Sequence, residues 1–212
     1  MVYFPMSNRR LWIITSLVWS LGLPPSILGQ IAFGAENTVF TQFTAHIMAQ
    51  VKKDKQAFAQ ASTCLSWFYK GSKTPPPAVQ GIRFVPTAAS KPDRDCPDRY
   101  PGGMDAARDD FAKTQTLLSL SLTAYEFALV ADRNDDRTYN GAELSDLFRS
   151  LSLVQDRSDS PRGSAAMLTQ QFDRWHDTRN LDVVMKGMGE LYEQGYRVTP
   201  ADRAELDRVM QQ

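Results

Sequence analysis

Oxygen-bearing side chains recur along the stretch DRNDDRTYNGAE, which runs from Asp132 to Glu143. A hard cation such as calcium (Ca²⁺) takes about six to eight oxygen ligands, and a short loop between two helices can supply them from alternate residues. The seventh residue of such a loop offers its backbone carbonyl, and the ninth binds directly or through water. Every ligand position of this stretch is compatible with oxygen donation: Asp132, Asn134, Asp136, Thr138, Asn140 and Glu143.

Only one register of the stretch provides a complete set of ligands. Counted from Asp132, the twelfth residue is Glu143, whose longer carboxylate can bind a cation with both oxygens. A register that begins at Asp136 would place Gly141 at the turn, but its twelfth residue would be Leu147, which cannot be a ligand. The alternative to a metal site is a solvated polar turn between two helices, and this alternative stays open.

The stretch and its flanks resemble the EF-hand family of calcium-binding proteins, whose loop follows the pattern D-x-[DN]-x-[DN]-G-x5-E between two helices. The resemblance covers residues 124–154 and implies a helix–loop–helix calcium site with the ligands named above. Arg137 departs from the pattern, because it occupies the place of a glycine with positive φ, at a cost of about 1 kcal/mol. Tyr139 departs from it where an aliphatic residue usually bridges to a partner loop.

The charges of the loop predict weak binding. Asp132, Asp136 and Glu143 are the anionic ligands, whereas Arg133 and Arg137 bring two cations into the same loop. A dissociation constant of about 10⁻⁵ to 10⁻³ M follows, which includes the range of extracellular calcium-binding modules.

Amphipathic helices flank the loop on both sides. Before it, apolar residues recur at helical spacing, as they do after it, so the loop joins two helices that bury one face each. The sequence predicts a mainly α-helical domain that contains this helix–loop–helix. The predicted stripes are Leu118, Leu122, Tyr125 and Leu129 before the loop, and Leu144, Leu147, Phe148, Leu151 and Val154 after it.

Residues 181–210 are the best candidate for a second unit that packs against the first. They read as a helix, a glycine turn, a short YRV segment that could bridge to Tyr139, and a helix capped by Thr199 with Asp202 three residues later. The turn offers no alternation of acids, so we expect it to bind no metal. It is either a degenerate half of an EF-hand pair or a simple helical hairpin.

Residues 1–35 have the order of a secretory signal peptide. Arg9 and Arg10 precede the uncharged run LWIITSLVWSLGL, and prolines and small residues follow. We therefore expect a secreted or periplasmic protein with no membrane association after cleavage. The alternative is an uncleaved N-terminal membrane anchor, although the pair Pro24 and Pro25 disfavours a continuous helix.

Export makes a disulfide between Cys64 and Cys96 the expected state of the two cysteines. The bridge would pin a proline-rich loop, with at most one short strand at GIRFVP, to the first helix. Two free thiols are the alternative. The chain thus divides into residues 1–35 as signal peptide, residues 36–104 as an N-terminal helix and proline-rich loop, and residues 105–212 as the helical EF-hand-like region.

Composition and motifs argue against several function classes. The chain has 24 basic and 24 acidic residues, so no net field attracts it to nucleic acid. His46 and His176 read as surface or packing residues, and no phosphate loop or nucleophile motif is present, so we expect no enzyme activity. The sequence predicts a protein in which calcium is structural or modulatory. The alternative is a metal-free helical scaffold, or a protein that binds an unknown partner in the cell envelope.

Overall fold

The protein is mainly α-helical, which confirms this part of the predicted fold class. The computed structural model describes residues 38–70, 78–79, 82–83, 95–154 and 161–211. The helices in these ranges are α1 Val39–Tyr69, α2 Cys96–Arg99, α3 Gly103–Val130, α4 Gly141–Ser150, α5 Pro161–Thr178, α6 Leu181–Glu193 and α7 Pro200–Gln211.

Helix α1 begins at a side-chain cap and packs along α3. The Thr38 hydroxyl accepts a hydrogen bond from the backbone N–H of Thr41, which satisfies one of the free donors of the first turn. Apolar residues then follow at helical spacing and are buried at the centre of the core: Phe40, Phe43, Ile47 and Val51.

Helix α3 is the central helix, because α1, α5, α6 and α7 all contact it. The predicted stripe is only partly correct. Tyr125 and Leu129 are buried, but Leu118 and Leu122 are only partly buried and lie at the edge of the core. A helix with neighbours on several sides buries more than one stripe, and the residues at its centre are Leu120, Ala124, Phe127 and Ala128.

Helix α4 buries Leu147 and Phe148 against α6, and Leu151 directly after the helix is buried too. Leu144 packs at the edge of the core. The prediction was wrong for Val154, which is 85% exposed. The reason is that α4 ends at Ser150 and the chain turns at Ser152, where φ is 54°, so Val154 no longer follows the helical spacing.

A second, smaller core surrounds the disulfide. Cys64 and Cys96 are bonded, with a Cα–Cα distance of 5.3 Å, which confirms the predicted pairing. The bridge joins α1 to α2, and both sulfurs are fully buried among aromatic and apolar side chains that include Leu65, Tyr100 and Phe111.

Ala78–Val79 and Ile82–Arg83 are two short strands, β1 and β2, that pair antiparallel, whereas the sequence predicted at most one short strand here. Most of the proline-rich loop and the whole predicted signal peptide lie outside the described residues. Among the described helices, none is both long and apolar enough to cross a membrane. Thr38–Gln212 form one compact unit, which contains parts of both regions 36–104 and 105–212.

Candidate metal centre

The candidate loop lies between the end of α3 at Val130 and the start of α4 at Gly141. Asn140 is the N-cap of α4, and its side-chain oxygen accepts hydrogen bonds from the backbone N–H groups of Ala142 (2.9 Å) and Glu143 (3.1 Å). The Glu143 carboxylate returns the bond by accepting from the Asn140 N–H (2.9 Å). This capping box fixes the direction in which the chain leaves the loop and enters α4.

Glu143 reaches back across the whole loop. Its second carboxylate oxygen, Oε1, accepts hydrogen bonds from the backbone N–H groups of Arg133 (3.0 Å) and Asn134 (3.3 Å). The residue is only 3% exposed, although it stands in the first turn of a short helix. The side chain of the twelfth loop residue, Glu143, therefore contacts the backbone at the beginning of the loop.

Asp132 is the second buried carboxylate of the loop, at 2% exposure. Its Oδ2 accepts from the N–H of Arg137 (2.8 Å) and its Oδ1 from the N–H of Asp136 (3.2 Å). Burial raises the pKa of Asp132, and the nearby charges of Asp136 and Glu143 raise it further, against the lowering effect of the two N–H donors. The electrostatic environment of this carboxylate thus disfavours its anionic form and would favour a nearby cation.

The sharp turn expected at the sixth position is present, because Arg137 has a φ of 63°. Asp135, two residues before it, also has a positive φ of 56°. The Asp135 carboxylate lies 3.4 Å from the Arg137 guanidinium.

The remaining candidate ligands form an exposed rim. The Thr138 hydroxyl donates to Asp136 Oδ1 (2.6 Å), and the Asn134 amide donates to Asp136 Oδ2 (3.0 Å). The hydroxyl of Thr138 lowers the pKa of Asp136, so this carboxylate stays ionised at neutral pH. The structure therefore joins Asn134, Asp136 and Thr138 at one side of the loop and Asp132 and Glu143 at its base.

The two arginines of the loop lie over aromatic rings. Arg133 lies over the ring of Tyr196, 5.5 Å from its centroid, and Arg137 lies over the ring of Phe40 at 5.6 Å. Within the described ranges, no lysine, arginine or histidine makes an ion pair with Asp132 or Glu143.

Side chains within the described part of the chain form no group of three or more His, Cys, Asp or Glu residues arranged to hold a metal. The carboxylates of Asp132 and Glu143 are turned onto backbone N–H groups instead. The donor set still suits calcium better than zinc, because it consists of oxygens alone, with two buried acids at its base.

The second helix–loop–helix packs beside the first. The cap predicted for α7 is confirmed, since the N–H of Asp202 donates to the Thr199 hydroxyl and the N–H of Thr199 donates to the Asp202 carboxylate, both at 3.0 Å. The Tyr196 hydroxyl donates to Asp146 of α4 (2.7 Å).

The bridge that Tyr139 could have formed to the second loop is not seen. Of the backbone hydrogen bonds between described residues, none joins Tyr139 to the segment from Tyr196 to Val198. The Tyr139 hydroxyl donates instead to the carbonyl of Ala128 (2.7 Å), and its ring packs edge-on against Phe40. The side chain thus holds the loop to α3 and α1.

A buried polar cluster joins α1, α3 and α5, and sequence reasoning missed it. Asp54 is 4% exposed and accepts hydrogen bonds from the Ser121 hydroxyl, from the Gln50 amide (2.9 Å) and from His176 Nε2 (2.9 Å). The serine donates to the aspartate and not to the histidine, so this is not a nucleophile–base arrangement. The available signal was the spacing of His46, Gln50 and Asp54 by four residues, which places them on one face of α1.

The chain matches no protein-family model, and comparisons with curated proteins and with solved structures found no similar protein. The chemistry of the loop therefore rests on its own residues. These provide two buried carboxylates, a rim of three polar side chains and a helix cap, held by a dense set of backbone hydrogen bonds.

Proposed function

We propose that this is an exported calcium-binding protein that uses the single EF-hand-like loop from Asp132 to Glu143, with calcium in a structural or modulatory role. The observation that carries the proposal is the burial of Asp132 and Glu143, at 2% and 3% exposure, with no cationic side chain of the described residues paired to either. The negative charges of Asp132 and Glu143 repel each other, and each is buried without a cationic partner. A bound cation would offset both the repulsion and the cost of burying the two charges.

The ligands in this proposal come from both halves of the loop. Asp132, Asn134 and Asp136 supply side-chain oxygens, and Thr138 supplies its backbone carbonyl. Glu143 supplies both oxygens of its carboxylate and Asn140 acts directly or through water. Calcium would neutralise the converging carboxylates. The capping box between Asn140 and Glu143 holds the start of α4 in place while the carboxylates bind.

The role of the ion follows from what the loop connects. Helices α3 and α4 meet at the loop, and Glu143 of α4 contacts the backbone directly after α3 at Arg133. A cation held by Asp132 and Glu143 would thus fix the angle between the two helices. With three anionic ligands and a strained turn at Arg137, we expect a dissociation constant of about 10⁻⁵ to 10⁻³ M.

Export is part of the proposal. The disulfide between Cys64 and Cys96 is the observation that favours it, because structural disulfides persist in oxidising compartments and are rare in the cytosol. In such a compartment, about 1 mM calcium would occupy at least about half of the sites in the expected affinity range. Detection of the mature protein in the periplasm or medium, with its N-terminus determined, tests this part.

Calorimetric titration with calcium chloride tests the binding directly. The wild-type protein should bind one equivalent of calcium, and Glu143→Gln should bind at least about tenfold more weakly, because it loses one anionic, bidentate ligand. Asp135→Asn is the matched control: it removes one negative charge from the same loop but no ligand, so its affinity should change less than about threefold. Equal losses in the two variants would contradict the ligand assignment.

A metal-free helical scaffold is the second candidate, and one observation favours it. Each oxygen of Asp132 and Glu143 already accepts at least one backbone N–H, so the loop is held without an ion. In this case the protein would act through a surface that binds an unknown protein partner. An absence of calcium binding by the folded wild-type protein would decide for this alternative.

A further inference from the structure

Asp202 has the same place in the second helix–loop–helix as Glu143 has in the first. Each is the third residue after the N-cap of its helix, Asn140 for α4 and Thr199 for α7. Each carboxylate accepts a hydrogen bond from the N–H of its cap, at 2.9 Å and 3.0 Å, and each residue is almost fully buried, at 3% and 1% exposure. The second unit thus contains a buried carboxylate that corresponds to the twelfth residue of a calcium loop.

The second loop has no complete set of ligands for a metal. Leu191, which would be the first residue of a loop ending at Asp202, is apolar and fully buried. A positively charged side chain nevertheless lies near the Asp202 carboxylate. Arg137 Nη1 of the first loop is 3.9 Å from Asp202 Oδ1.

Arg137 contacts both helix–loop–helix units. Its backbone N–H donates to the candidate ligand Asp132 (2.8 Å), and its guanidinium lies beside Asp202 and over the ring of Phe40, at 5.6 Å from the centroid. The Asp202 side chain is 2% exposed, whereas the Arg137 side chain is 42% exposed. A partly exposed guanidinium therefore provides the positive charge beside a buried carboxylate.

We infer that Arg137 is a positioning residue that links the candidate calcium loop to the second helix–loop–helix: its backbone holds Asp132, and its guanidinium supplies the charge that Asp202 meets in place of a metal ion. The calcium-dependent part of this inference rests on the proposed function. Glycine at this position would fit the turn, but it would remove the link between the two units.

The link predicts that calcium orders α7 as well as the loop. Calcium bound to Asp132 restricts this carboxylate, and the N–H of Arg137 that donates to it becomes restricted too. The guanidinium then spends more time beside Asp202, whose carboxylate caps the first turn of α7. Opening of that turn should become rarer when calcium is bound.

A double-mutant cycle in the presence of chelator tests the link without any metal. Arg137→Met removes the charge but keeps an unbranched side chain over Phe40. Asp202→Asn removes the charge but keeps an oxygen that can accept from the Thr199 N–H. The coupling between the two changes should be about two- to fivefold in the unfolding equilibrium constant. A coupling below this range would overturn the link.

Arg108→Met is the control for the cycle. Arg108 pairs with Asp105 one turn away within α3, with a side chain of similar exposure (40%), and the described contacts do not connect it to either loop. It should show no coupling to Asp202→Asn. If Arg137→Met prevents folding, Arg137→Gln replaces it in the cycle, because it also removes the charge and should show the same coupling.

Hydrogen exchange of the backbone amides of α7, followed with and without calcium, tests the transmission. In the wild-type protein, calcium should slow exchange in the first turns of α7 by about fivefold or more. Arg137→Met should still bind calcium, as calorimetry would show, but the protection of α7 should be lost, and Arg137→Lys should restore part of it. Full protection of α7 in Arg137→Met would overturn the inference.

The two proposals fail in different ways. If the wild-type protein binds no calcium, the proposed function fails, and the link is judged by the metal-free cycle alone. If calcium binds and the cycle is additive, the proposed function stands and the link is wrong.

Discussion

Gly187 of α6 lies directly against the backbone carbonyl of Ser150 at the end of α4: a β-carbon at residue 187 would be 3.2 Å from that oxygen. It would also lie 3.3 Å from the ring of Phe127 and 3.4 Å from the Leu151 side chain. The two helix–loop–helix units therefore approach each other closely where residue 187 has no side chain.

Gly187→Ala should destabilise the protein, and Gly189→Ala in the same helix should not. A β-carbon at residue 189 has no atom within 4 Å, so this change gains helix propensity, about 0.5 to 1 kcal/mol. At residue 187, the cost of overpacking, about 1 to 3 kcal/mol, should exceed that gain. Denaturant unfolding of both variants measures the difference, and equal stabilities would contradict the close packing of α4 and α6.

The disulfide should contribute substantially to stability. It closes a loop between residues 32 apart, which corresponds to about 3 to 4 kcal/mol on the chain-entropy argument. The variant Cys64→Ser/Cys96→Ser should lose this amount in denaturant unfolding. Its stability should not change further when a reductant is added, whereas the wild-type protein should fall to a similar level. A wild-type protein indifferent to reductant would contradict the prediction.

Asp54 should make the protein sensitive to acid. Burial by itself raises the pKa of this carboxyl, but hydrogen bonds from His176, Ser121 and Gln50 lower it more, so the pKa lies below its ordinary value of 3.8. A depressed pKa in the folded state means stability that is present above pH 3.8 and lost as the pH falls through the lower folded-state pKa.

Asp54→Asn should therefore cost about 1 to 3 kcal/mol at neutral pH and flatten the loss of stability on the acid side. The control is Asp173→Asn. Asp173 pairs with His46, but its side chain is 56% exposed, so the change should cost at most about 1 kcal/mol. Chemical unfolding over a range of pH compares the three proteins, and a profile of Asp54→Asn parallel to that of the wild type would contradict the role of this carboxyl.

Local patterns were sufficient for several features of the fold and the site. The spacing of Thr199 and Asp202 predicted a helix cap, because a capping box involves residues three apart; the same spacing of Asn140 and Glu143 was interpreted only as two ligand positions. The register of the loop also predicted a positive φ at Arg137. The pairing of Cys64 with Cys96 followed because the chain has two cysteines and an export-like N-terminus.

Other features depend on contacts far apart in sequence, and periodicity could not find them. The apolar spacing of α3 predicted that Leu118 and Leu122 would be buried. Because other helices pack on several sides of α3, the fully buried residues are instead Leu120, Ala124 and Phe127. Nothing local shows that Asp54 meets His176, because 122 residues separate them.

The arginines of the loop illustrate the same limit. Charge counting assigned both positive charges to the loop, but both side chains also contact residues that are distant in sequence. Arg133 lies over the ring of Tyr196, and Arg137, which also pairs with Asp135 of its own loop, lies over the ring of Phe40 and near Asp202. Such partners can be identified only once the helices are packed.

Thermal unfolding with calcium and with chelator tests the central claim most directly. At about 1 mM calcium, binding in the expected affinity range should stabilise the wild-type protein by about 0.4 to 2.7 kcal/mol, or about 1 to 10 °C in Tm. Glu143→Gln should lose most of this shift, and Asp135→Asn should keep it. A wild-type Tm that is the same with calcium and with chelator would contradict a calcium site in the loop from Asp132 to Glu143.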